Sequence, residues 1–227
     1  MRELTPEQAL TNLKTNPKNF LGTYPIAISN AGRTSTDLES NSAGEQTVYI
    51  QKHNMSRPGS FLGKKRMHQW YLYSFEHKQP KSNPMTGDIN PEYTNFQAYY
   101  VPISWSDDPN PTWCDADNDP VIMITGQLSG CSFVVKDAGE GGELRTTHLQ
   151  PTIGRPGGNV TGDALNTALK RDHEDWTVFG KSNFDSDTYI VNVIGVRDRD
   201  KGWQIFAQKR NRWNQQWTIL DVAKVYP

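Results

Sequence analysis

Short β-branched and aromatic runs bounded by polar turn residues mark most of this chain as strand, with partial alternation over Gln69–Glu76, and a helical period appears in two places. The first helix opens at Thr5, with Pro6 at its first position and Gln8 completing a T-x-x-Q capping box. Ala9, Leu10 and Leu13 form its apolar face, and Asn16-Pro17 ends it. Strands are predicted over Thr23–Ser29, Thr47–Lys52, His68–His77, Asn95–Trp105, Val121–Thr125, Cys131–Val135, Glu143–His148, Thr188–Arg197, Trp203–Lys209 and Trp217–Val225. Most are β-branched or aromatic and are bounded by Gly, Pro, Asn, Asp or Ser. Long polar loops separate them, notably Arg33–Gln46, Gln79–Thr94 and Ser106–Pro120. A second helix is predicted over Asp163–His173, capped by Asp163, with Ala164, Leu165, Ala168 and Leu169 facing inward. No repeat or linker interrupts the chain. Many strands and few helices, without βαβ alternation, predict an α+β fold: one domain over residues 1–227, a sandwich of mixed β-sheets flanked by a few helices and long loops.

Composition narrows the class. The 227 residues are only 35% hydrophobic, yet 11% are aromatic, which argues for an aromatic core rather than disorder. Lys and Arg number 24 against 25 Asp and Glu. That balance argues against a chain built to grip nucleic acid or an anionic membrane, while leaving room for a local basic patch. The longest aliphatic run, Val121–Ile124, is strand-sized, and the N-terminus lacks the apolar stretch of a secretory signal. Cys114 and Cys131 are too few for a disulfide framework and too far apart in sequence for a zinc pair. A reducing compartment is expected.

The candidate chemistry centres on Thr125-Gly126-Gln127-Leu128-Ser129-Gly130-Cys131. An apolar strand runs into a glycine-bracketed turn, and Cys131 stands at the mouth of the next strand. Gly130 leaves room for a substrate to approach the backbone, and the Cys131 N–H is a candidate oxyanion donor. The bland alternative is a cysteine that is simply buried. His148 ends the following predicted strand. If Cys131–Val135 and Glu143–His148 pair as a hairpin, the two residues are neighbours. A thiol beside an imidazole is the minimal unit of cysteine nucleophilic catalysis, and the competing reading of His148 is a strand-end surface histidine.

Other segments carry less. Asp115-Ala116-Asp117-Asn118-Asp119 begins like a calcium loop, but Pro120 and Gly126 occupy positions that need Gly and Glu, so it reads as an Asx-rich loop. Gly154-Arg155-Pro156-Gly157-Gly158-Asn159 lacks the Lys-Ser/Thr of a phosphate loop and reads as a loop flanking a site. The sequons at Asn54 and Asn159 carry no weight without a signal peptide. Lys209, Arg210, Arg212, Trp213 and Trp217 suit a single-strand or protein grip, or a plain hairpin turning at Asn211–Gln216; the net charge favours the hairpin. His53, His68, His77 and His173 have no partner at a telling spacing.

At Leu128-Ser129-Gly130-Cys131 the chain resembles the glutamine-deamidating bacterial toxins, a family that includes the cytotoxic necrotizing factor catalytic domain and Burkholderia lethal factor. The likeness is nearer to the lethal-factor branch. Thr125 stands six residues before the cysteine, and an acidic, glycine-rich turn, Asp137–Gly142, precedes His148. The 17-residue interval from Cys131 to His148 is longer than the family pattern. The resemblance covers Thr125–His148 and implies a fold of mixed sheets edged by helices. It implies Cys131 as nucleophile, His148 as base and Thr125 as the residue orienting the histidine, largely through its main chain. Leu128, Ser129 and Gly130 form the motif around the oxyanion site. The implied reaction is deamidation of a host-protein glutamine through a thioester, without metal or cofactor. The implied partner is the DEAD-box translation initiation helicase, or a Rho GTPase as in the family's other branch. No direct nucleic-acid or membrane partner is expected. The implied protein is a monomer, secreted or delivered into a host cytosol without a classical signal peptide. Substrate choice falls to the flanking loops Ser106–Pro120 and Pro151–Gly162. A cysteine protease or acyltransferase using the same pair, and a non-catalytic β-sandwich binding module, are the alternatives.

Overall fold

The computed structural model describes residues 4–29, 43–55, 67–74, 93–117, 119–137, 143–184, 187–211 and 218–227. The capping box at Thr5 forms as the sequence predicts, and α1 runs Pro6–Thr15. Asn16-Pro17 ends α1 and also starts α2 (Pro17–Thr23), which the sequence reading missed. Proline at a first helical position loses no hydrogen bond, so the same residue stops one helix and opens the next.

The strands are β1 (Ile26–Ser29), β2 (Gly44–Met55), β3 (Met67–Ser74), β4 (Tyr93–Val101), β5 (Ile103–Trp105), β6 (Cys114–Ala116), β7 (Ile122–Thr125), β8 (Ser132–Asp137) and β9 (Leu144–Gln150). After helix α3 (Gly162–Asp172) come β10 (Thr177–Phe179), β11 (Tyr189–Asp198), β12 (Gly202–Asn211) and β13 (Ile219–Tyr226). One mixed sheet of eight strands runs β1-β3-β2-β4-β7-β11-β12-β13, and a second of five includes β10-β8-β9-β5, with β6 also paired to β9. The predicted α+β sandwich of mixed sheets is what forms.

Alternation along the strands assigns the faces. Ile122, Ile124 and Phe206 pack with Ala9, Leu13, Phe20 and Leu21 of α1 and α2. The intervening Met123, Ile205 and Ala207 pack with Phe133 and Val135 of the second sheet. On that sheet's far side, Val134 and Leu149 meet Leu165 and Leu169 of α3. The result is four layers: helices, eight-stranded sheet, five-stranded sheet, helix.

Four expectations need correction. The predicted strand Asn95–Trp105 is two strands, broken at Pro102, which has no N–H for a ladder. The loop Ser106–Pro120 contains β6, and β10 was not foreseen. Helix α3 is capped by the Thr161 hydroxyl, which accepts from Ala164 N at 3.2 Å, and not by Asp163. Gly162 takes its first position because a side chain there would strike the Gly130 carbonyl oxygen, 2.4 Å from the added carbon. Much of Arg33–Gln46 and Gln79–Thr94, the turn after Asp137, and Arg212, Trp213 and Trp217 lie outside the described residues. The β12–β13 pairing is the antiparallel hairpin expected there.

Candidate active site

The site forms where the chain crosses between sheets. β4 belongs to the eight-stranded sheet and β5 to the other, with Pro102 between them. At the end of β4, Val101 pairs with Thr125 of β7. At the start of β5, Ile103 pairs with His148 of β9. His148 also pairs with Phe133 of β8 on its other side. The crossover therefore brings Thr125 and His148 face to face from opposite sheets, both fully buried.

Their side chains are joined. Thr125 Oγ1 lies 2.9 Å from His148 Nδ1 and 2.7 Å from the Val101 carbonyl oxygen. A carbonyl only accepts, so the single hydroxyl proton of Thr125 goes to Val101. The threonine oxygen is then left to accept, and the proton it receives is the one on Nδ1. The neutral imidazole is thereby held as the Nδ1–H tautomer, with its lone pair on Nε2. Nε2 is buried and has no hydrogen-bond partner among the described residues. Burial pushes the imidazole pKa down to about 3, so the ring is uncharged at neutral pH. The resemblance assigns the orienting role to the main chain at this position; here the side chain makes the contact.

After Thr125 the chain turns through Gly126, where a Cβ would sit 3.1 Å from Ile103 Cδ1. Leu128 is pinned to β11 by two backbone bonds with Val191, of 2.8 and 3.1 Å. Gly130 has φ of 115°, a conformation that excludes most side chains. Cys131 follows, one residue before β8. It shares the inter-sheet core with Phe133 and Val135, the residues of its own parity on that strand. It therefore faces the same side as His148, diagonal to it across the β8–β9 ladder. The expected hairpin brings the two strand ends together, but sulfur and Nε2 are not hydrogen-bonded to each other. Cys131 is 8% exposed. Burial pushes its thiol up to about 11, partly opposed by the Ser129 backbone N–H directed at the sulfur. The resting pair is a neutral thiol and a neutral imidazole. Desolvation of both groups opposes a thiolate–imidazolium pair.

No protein-family model and no curated protein matches this chain.

The structure also brings in residues that sequence reasoning missed. Below Cys131, the buried Asn166 of α3 donates to Ser132 Oγ at 3.4 Å and accepts from the Ser182 hydroxyl. Gly180 lies so close that a Cβ would come within 2.4 Å of both Ser132 Oγ and Asn166 Nδ2. No local signal marks this cluster, because its members come from three separate elements. The two flanking loops meet as well. Arg155 pairs with Asp107 at 2.9 Å and lies 4.9 Å over the Trp105 ring. By register, Trp105 sits beside Gln150, so this contact lies at the Cys131 end of the second sheet.

The weaker motifs are accounted for structurally. Asp115 pairs with Arg145 at 2.7 Å, and Asp117 accepts from the Tyr99 hydroxyl. His173 stacks on Trp176 with ring centres 3.5 Å apart. Both cysteines are free and buried, and burial raises the Cys114 thiol to about 11.

Proposed function

We propose that this chain is a cysteine-dependent protein-glutamine deamidase acting inside a host cell. One observation carries the reading: Thr125 fixes the tautomer of a buried histidine whose free nitrogen has no other use in the fold. An unpartnered buried nitrogen costs on the order of 1–3 kcal/mol. Gln51 Nε2, Trp70 Nε1 and Asn192 Oδ1 carry a similar cost elsewhere in the fold, so it is the basicity of Nε2 and its place across the ladder from Cys131 that support the reading.

The chemistry follows from the neutral pair. Nε2 takes the thiol proton as Sγ attacks the carboxamide carbon of the target glutamine. Backbone N–H groups around Ser129–Cys131 receive the developing oxyanion. Dry surroundings disfavour the imidazolium, which opposes proton uptake from the thiol and favours its delivery to the departing nitrogen, which leaves as ammonia. The thioester is then attacked by water, whose proton Nε2 accepts. The C–S bond breaks, leaving glutamate and a regenerated thiol. Thr125 Oγ1 accepts from Nδ1 throughout. Resemblance of the Leu128–Cys131 motif supports the DEAD-box translation initiation helicase as target, with Rho GTPases as the other substrate class, and entry into the host cytosol by a route other than the classical signal.

The test is incubation of the purified chain with eukaryotic cell lysate beside Cys131→Ser. Proteome-wide mass spectrometry then reads Gln-to-Glu conversion. Conversion of one site by the wild type alone carries the proposal and names the target. The deep burial of Cys131 favours a second reading, a β-sandwich binding module with a structural cysteine. An absence of conversion together with a thiol that resists alkylation would establish that one instead.

A further inference from the structure

At the other end of the eight-stranded sheet, a cavity of about 330 Å³ opens between the α1–α2 junction and the β11–β12 hairpin. Lys14, Lys18, Lys201 and Lys224 line it, with Asp198 the one carboxylate among the lining residues. The Asp198 carboxylate accepts from the backbone N–H groups of Asp200 and Lys201, at 2.9 and 3.0 Å, so it caps the hairpin turn. None of the four ammonium groups pairs with a carboxylate among the described residues. The lining is mainly polar: Val196 and Phe206 border the cavity but are themselves buried, and Gln204 adds an amide.

Four like charges around one hollow repel each other; Lys14 also suits the last turn of α1 and Lys201 favours the Asp198 carboxylate, which offset that repulsion only in part. The chain as a whole carries a net charge of -1, so this convergence is a local surplus and not a reflection of composition. A concave site ringed by several charges of one sign suits a small molecule of the opposite charge. Lysines are point-charge partners for phosphate. We propose that this cavity binds a small molecule bearing two or more phosphate groups, held by the four lysines. The site is separate from Cys131. β11 meets the Leu128 turn at Val191 and the cavity at Val196–Asp198, roughly 17–23 Å further along the strand. The proposal therefore stands or falls independently of deamidase activity.

Calorimetric titration of the full chain with tripolyphosphate and with inorganic phosphate, at low and high salt, tests it. Tripolyphosphate is expected to bind at least about ten-fold tighter than inorganic phosphate, and more weakly as salt rises. The double variant Lys14→Ala/Lys201→Ala should weaken it at least about ten-fold, while Lys136→Ala leaves it unchanged. Co-sedimentation with phosphatidylcholine vesicles, with and without a phosphoinositide, separates the sources. Capture dependent on the phosphoinositide and on the same lysines assigns the phosphates to a lipid headgroup; no capture assigns them to a soluble ligand. Absence of tripolyphosphate binding at millimolar concentration, or binding that the double variant leaves intact, overturns the proposal.

Discussion

Gln208 and His148 are both polar, both on strands and both fully buried, yet their surroundings treat them in opposite ways. Gln208 Oε1 accepts from Ile26 N at 2.8 Å, and its Nε2 donates to the carbonyls of Leu21 and Tyr24 at 2.6 and 2.8 Å. Its cross-strand neighbour Asn192 donates to Ile26 O at 2.7 Å. This region uses buried amides to tie the end of α2 and the start of β1 onto the sheet. His148 is held at Nδ1 and left bare at Nε2. Gln208 is satisfied at both ends, whereas its neighbour Asn192 has an Oδ1 without a partner among the described residues, so half satisfaction alone does not set His148 apart. What distinguishes His148 is that its bare atom is a basic nitrogen, the group the proposed reaction requires.

The contrast is sharpest in activity. His148→Gln should cut glutamine conversion by about 10⁴-fold while changing the unfolding free energy at neutral pH by less than about 2 kcal/mol. Denaturant melts beside the conversion assay check both halves. An equal loss of stability would make His148 a staple too.

Gln208→Leu should behave in reverse. It strands three buried backbone groups and should cost about 3–5 kcal/mol of stability, with conversion per folded molecule unchanged. Thr125→Val removes the acceptor for Nδ1–H and frees the ring to adopt the wrong tautomer. Conversion should fall about 10²-fold, and Thr125→Ser should restore most of it; a rate indifferent to both changes would return the orienting role to the main chain.

A smaller effect lies in pH. The imidazole pKa is about 3 in the folded chain and 6.5 ordinarily. Below pH 6.5 the unfolded chain therefore takes up a proton that the folded chain refuses, and stability falls as acid is added until about pH 3. The difference between wild type and His148→Gln should slope by up to about 1.4 kcal/mol per pH unit in that window. Denaturant midpoints from pH 7 to 4 measure it, and parallel curves would contradict a neutral buried ring. Smallest of all, Arg155→Ala removes a half-exposed ion pair and a ring contact, and should cost under about 1 kcal/mol of stability. A larger loss in a thermal melt would mean that the two flanking loops are a structural clasp.

Local chemistry was legible in the sequence and stacking was not. The Thr5–Gln8 capping box and the β8–β9 pairing follow from spacing within a few residues, whereas the sequence offers the burial of Cys131 only as the competing reading. Pro102 read as an interior strand residue because apolar and aromatic residues continue on both sides of it. The proline marks a change of sheet, which a one-dimensional pattern does not encode. The Thr125 and His148 pair was named through resemblance, but their hydrogen bond joins strands of different sheets. Which strands stack depends on the whole topology, and so does the Ser132–Asn166–Ser182 cluster.

The crossover at Pro102 has a mechanical consequence. Val101 and Ile103 are two covalent steps apart, so their Cα atoms are separated by at most about 7.6 Å. One is in register with Thr125 and the other with His148. The gap between the two sheets is thus gauged at this point by the chain itself, and not by the fit of side chains. Here the sheets are spaced like the jaws of a fixed caliper, and one residue inserted between β4 and β5 would reset the gauge without touching a side chain of the site.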